Sequence, residues 1–350
     1  MRVESRDWEI TAEPALAGYT VEWAEEGTLV LSRESGLYQA SSPDAPPTFV
    51  GTFPAPSWKA RVARLRAVQR LLRFLVYNVV KLPDQRLFVT FDKAIGCFSD
   101  GGFELVHGLR RPCRVLRGAC AACPDGTVYF GEYLSNSERD GVHIYRYAPG
   151  SQELEVAYRF PPGAVRHVHG IYYDPHGRAL WCLTGDRGRE CRVSVSRDGF
   201  RTLDVVGEGD ETWRCVSALF TEDGIYYGSD GEFERNQLYR IERSSGRRDV
   251  LGPLDGPVYY SAALGQDLFF AVTAELCPSQ EGRSATLWHV SRTQGPSRVV
   301  SFEKDKLPVR YFLPGTLHFS RGPGSSQGLW LHGVGLEGAD NRTFLVHRAA

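Results

Sequence analysis

His167 and His169 stand two residues apart in an apolar run that reads as a strand, so both imidazoles leave the same face. Three roles suit such a pair: general acid or base, two ligands of a metal ion, or satisfied histidines of the core. Glu132 and Asp186 each close a strand-like run beside a glycine, where a missing side chain lets a ligand approach the backbone. Carboxyls so placed can move protons in glycosidic cleavage. Arg166 precedes the histidines, and Arg114 or Arg117, Arg214 and Arg310 take comparable places before other apolar runs. Such arginines can simply pair with the acids. Several buried pairs together are a costly way to hold a fold, which points to an anionic ligand.

These residues can meet only if equivalent elements carry them. RGACAACPDGTVYFGEY, HVHGIYYDPHGRALWCLTGD, RCVSALFTEDGIYYGSD and YYSAALGQDLFFAVTAE are four copies of one hairpin pattern. Polar turns at 42–49, 99–105, 148–154, 196–203, 244–250 and 293–299 recur at intervals of about 45 to 57 residues. Four short strands per period predict a β-propeller, in which only neighbouring blades bury each sheet. Six units run from about residue 18 to 301, and 308–350 supplies three strands more. Residues 7–13, DWEITAE, are expected to provide the missing outer strand and close a seven-bladed ring. Six blades are the alternative. The chain reads as one domain, 1–350, with a basic insertion at about 57–74.

In a propeller each inner strand starts, and each second strand ends, at the same mouth of the channel. Aligning the hairpins there gives Glu132, His167, His169, Asp186 and Tyr259 as candidate catalytic residues. Tyr133, Asn136, Arg139, Arg117, Arg166, Trp213, Arg214, Tyr260 and Arg310 become candidate substrate contacts. Asp92, Asp230 and Glu275 share the alignment, with polar-turn acids as the plain alternative. His176 falls in the turn at the opposite end, and Lys304 and Lys306 read as surface charges.

Composition narrows the partners. With 42% hydrophobic residues, 24% charged and a net charge of -1, nucleic acid is not the expected partner. No run of about 18 apolar residues and no leader-like N-terminus occurs, which predicts a soluble, cytoplasmic protein without a membrane partner. The eight cysteines have no disulfide spacing, and Cys120 and Cys123 read as strand thiols, with a metal or redox role as the alternative. Residues 59–73 hold six basic side chains and no acid. They suit a solvated helix or loop, a lid over an anionic ligand or surface, or a membrane-surface segment.

Ser196, Asp198 and Thr202, and again Ser42, Asp44, Thr48 and Phe49, resemble the Asp-box of sialidase-like propellers. The layout of GEYLSNSERDGVHIYR, RHVHGIYYDP and GPVYYSA is similar to bacterial proteins of that type. The resemblance implies the propeller fold, with the box as the turn between third and fourth strands, and it implies no particular reaction. Together the residues predict a carbohydrate-active propeller that takes an acidic or polyhydroxylated glycan at the channel mouth, by hydrolysis or β-elimination. A non-catalytic glycan- or protein-binding propeller and a metal-dependent, lactonase-like hydrolase are the alternatives. No cofactor is expected, a divalent ion at His167 and His169 being the exception.

Overall fold

The computed structural model describes residues 1–99, 102–291, 295–325 and 327–349. Seven antiparallel sheets of four strands form the blades of a propeller. Blade four, for example, runs outward through Val168–Asp174, Ala179–Thr184, Arg192–Ser196 and Asp204–Glu208. Seven buried apolar clusters lie one at each junction between neighbouring blades, as in the packing of Val168, Ile171 and Leu180 against Ala121, Tyr129 and Ile144 of blade three. No blade is buried alone, so the ring must close.

Closure is made by the strand Trp8–Ala12, which pairs with Arg342–Arg348 as the outer strand of blade seven. Trp8 is 2% exposed and meets Phe269 of blade six edge-on at 4.7 Å. The sequence did not suggest that Arg2–Val3 would add a fifth strand to blade six, beside Ser297–Glu303.

The Asp-box-like turn of blade four lies between its third and fourth strands. The Ser196 hydroxyl accepts from the Phe200 amide at 2.8 Å, and Asp198 accepts from the Thr202 amide at 3.0 Å. The turns of blades two and six, which begin at Ser99 and Thr293, fall partly outside the described residues. All eight cysteines are free. Among the described residues no helix is long and apolar enough to cross a membrane.

Two expectations change. Lys304 is not a surface charge: it is 3% exposed, paired with Asp305, and donates to the Leu307 carbonyl at 3.0 Å. It thereby fixes the connection from blade six to blade seven. The basic insertion is more than a solvated helix. Its helices Ser57–Val62 and Arg66–Leu72 are strapped down at three points: Lys59 to Asp92, Arg66 to Asp340 at 3.0 Å, and the buried Arg70 to Asp305.

Candidate active site at the channel mouth

A cavity of about 570 Å³ opens where the inner strands begin. One backbone device repeats around it. The inner strands of blades one, two, four and six each carry a bulge, with Glu22, Tyr77, His169 and Tyr259 as the extra residue. A bulge re-aims one side chain without ending the sheet. Tyr77, His169 and Tyr259 thereby line the cavity, while Glu22 holds Arg117 of its wall at 2.7 Å.

His167, His169 and Asp186 form the polar wall of blade four. The two Nε2 atoms are 3.1 Å apart, and Asp186 Oδ1 lies 3.5 Å from His167 and 3.4 Å from His169. Each Nδ1 faces a backbone carbonyl, Leu134 at 2.8 Å and Cys215 at 3.3 Å. A carbonyl only accepts, so both Nδ1 atoms carry hydrogen. Gly185 is needed here: a Cβ would stand 2.4 Å from His169 Cε1. Asp186 adopts φ 144°, a region that favours glycine, and Arg166 holds its Oδ2 at 2.9 Å. Burial pushes His169 down to about 4.

Blades five and six supply the opposite wall. The Tyr259 hydroxyl donates to Glu275 Oε1 at 2.9 Å. Arg214 Nε donates to Asp230 Oδ2 at 3.0 Å, while its terminal nitrogens have no hydrogen-bond partner among the described residues. Burial raises Glu275 above the ordinary glutamate range, with the Tyr259 hydrogen bond opposing it. Asp230 is raised further, by burial against the pull of Arg214 and with the push of Glu275. Burial and Glu275 together keep Tyr259 protonated well past the usual phenol range. Asp230 takes only the Nε of Arg214, so the terminal nitrogens of the guanidinium remain in the wall of the cavity.

Nine of the fourteen expected site residues line this one cavity: Arg117, Tyr133, Arg166, His167, His169, Asp186, Arg214, Tyr259 and Tyr260. The other five are elsewhere. Glu132 is fully buried and committed, accepting from Arg111 at 2.7 Å and from Tyr145 at 2.8 Å. Asn136 is a buried clamp, donating to the carbonyls of Asp140 and Arg166, and so sets where Arg166 begins. Arg139 pairs with Glu190 at 2.6 Å. The Trp213 ring lies under the Arg248 guanidinium at 3.8 Å and against Gly207, which leaves it no face for a sugar. Arg310 is exposed over Tyr311.

Glu132 is displaced by one residue of register. Tyr133 and Asp230 occupy equivalent places, each amide donating to the arginine that opens its blade, Arg114 or Arg214. The acid of blade three therefore falls one position earlier than that of blade five, and alternate residues face opposite sides. Tyr77, Arg73 and His318 are among the cavity residues that the sequence did not single out. Val76-Tyr77, Val168-His169 and Val258-Tyr259 share a valine before the bulge, a signal that could have found Tyr77. Arg73 ends the second helix in the left-handed conformation, with no ion-pair partner among the described residues.

No family model and no curated protein matches the sequence. Similar solved structures share the fold at low identity. The oligogalacturonate lyase of Vibrio parahaemolyticus superposes with TM-score 0.60 at 8% identity, covering 91% of this chain and 92% of the lyase. An ancestral GH74 enzyme gives 0.59 at 10%, covering 99% of this chain and 48% of the enzyme. A chain of the mitotic checkpoint complex gives 0.58 at 10%, covering 100% and 96%. The same ring thus serves enzymes and an assembly component, and function must be argued from the site.

Proposed function

We propose that this protein is a carbohydrate-active enzyme that cleaves an acidic glycan by β-elimination in the channel-mouth cavity. The observation that carries the reading is Arg214, which lines the cavity with two terminal nitrogens that have no hydrogen-bond partner among the described residues. That pair is a site for a uronate carboxylate. Arg73 offers a second charge from the strap. Fold neighbours that include a lyase and a glycoside hydrolase support the carbohydrate reading by analogy.

Neutralising a sugar carboxylate acidifies the hydrogen on the adjacent ring carbon. The Tyr259 oxygen takes that proton while passing its own to Glu275, across the 2.9 Å hydrogen bond. The electrons of the broken C–H bond form the ring double bond, the glycosidic C–O bond breaks, the leaving oxygen takes a proton from Tyr259, and Glu275 returns its proton to the phenolate, restoring both groups. Hydrolysis would need two free carboxyls flanking the bond. The three carboxyls among the described residues lining the cavity are each held, Asp186 by Arg166, Asp230 by Arg214 and Glu275 by Tyr259, which favours elimination.

Calorimetric titration with uronic-acid oligosaccharides and their neutral counterparts tests the recognition step. Acidic ligands are expected to bind, and Arg214→Met to weaken them about tenfold or more. Equal binding of acidic and neutral ligands, or no effect of the substitution, would remove the proposal.

A further inference from the structure

We infer that His167, His169 and Asp186 form a binding site for one divalent transition-metal ion, with open coordination positions facing the cavity. The inference stands whether or not the cavity takes a glycan. The three atoms His167 Nε2, His169 Nε2 and Asp186 Oδ1 all lie within 4.8 Å of one another. Their separations of 3.1, 3.4 and 3.5 Å are those of ligands around a single ion. Atoms about 2.1 Å from one centre, at tetrahedral or octahedral angles, stand about 3.0 to 3.4 Å apart.

The hydrogen-bond pattern selects the same atoms. Because each Nδ1 donates to a carbonyl, the nitrogen each imidazole leaves for a metal is Nε2, turned toward the other ring and toward a carboxylate oxygen. Three lone pairs meeting in a buried wall repel unless a cation or a shared proton lies among them. Metal-binding histidines are held in this way, with the far nitrogen on a backbone carbonyl fixing ring and tautomer. Asp186 is oriented likewise, since Arg166 takes Oδ2 and leaves Oδ1 to the histidines.

The backbone is shaped around the cluster. The bulge turns His169 inward, Gly185 leaves room for its ring, and Asp186 is kept at φ 144°. Two imidazoles and one carboxylate suit zinc, manganese or iron(II) over magnesium or calcium, which prefer all-oxygen shells. All three residues line the cavity, so the remaining positions are open to water or ligand oxygens.

The test uses the full chain, stripped with a chelator, dialysed and titrated with Zn²⁺ and Mn²⁺ by calorimetry, with Mg²⁺ as the control. One equivalent of Zn²⁺ or Mn²⁺ is expected. His167→Gln, His169→Gln and Asp186→Asn should each weaken it by about tenfold or more, and His176→Gln, in the turn at the other end of the blade, should not. Circular dichroism establishes that each variant is folded, and the wild-type stoichiometry stands without them. Absence of a stoichiometric ion would overturn the proposal in favour of a proton shared by the histidines. Undiminished affinity in the three folded variants would overturn it by placing the ion elsewhere.

Discussion

Glu275→Gln is expected to lower kcat on an acidic oligosaccharide by about 10²- to 10⁴-fold with little change in KM, measured as initial rates on folded protein. The substitution keeps the shape and leaves an amide oxygen to accept from Tyr259, so the fold is retained. It removes the group that takes the phenol proton as Tyr259 attacks. Wild-type activity carries a pH signature of the same group. Glu275 must be ionised to accept, so activity falls as pH drops through its titration. Burial raises that titration, so the loss begins at a higher pH than for an ordinary glutamate. The variant lacks this limb. Unchanged kcat, or a pH profile identical to the wild type, would remove Glu275 from the reaction.

Trp8→Ala is expected to cost about 3–5 kcal/mol, read as a lower denaturant midpoint. Trp8 is 2% exposed and carries the first pair of the closing strand, opposite Arg348. Its ring packs on Phe269 at 4.7 Å and His289 at 5.2 Å, both in blade six. One side chain thus seals blade seven and the neighbouring junction. The indole Nε1 is buried without a hydrogen-bond partner among the described residues, so no hydrogen bond to them is lost with it. A cost below about 1 kcal/mol would mean that the ring does not depend on this closure.

The ring was legible because its signals are local and repeated. A polar turn recurs at a nearly constant period, and an incomplete last unit calls for a strand that only Trp8–Ala12 could supply. His167, His169 and Asp186 were legible for the same reason, as the two ends of one hairpin. Glu132 shows where alignment of repeats stops: an offset of one residue sends the carboxyl to Arg111 and Tyr145 instead of the cavity. Trp213 and Arg139 were misread because their partners, Arg248 and Glu190, come from other strands and loops and share no spacing with them. Arg73 was visible only as one charge of six in a basic run. Its place depends on three ion pairs that pin the strap across the ring. The weight of the acids also differs from the sequence reading. Asp230 and Glu275 share the mouth alignment, with polar-turn acids as the alternative, and burial beside Arg214 and Tyr259 gives them their chemistry.

Mass analysis of the products formed from a uronic-acid oligosaccharide tests the central claim most directly. The account predicts an unsaturated fragment lighter by one water than the hydrolysis product, formed by the wild type and lost in Tyr259→Phe. Fragments that have each gained the elements of water, or an oligosaccharide left intact, would contradict it.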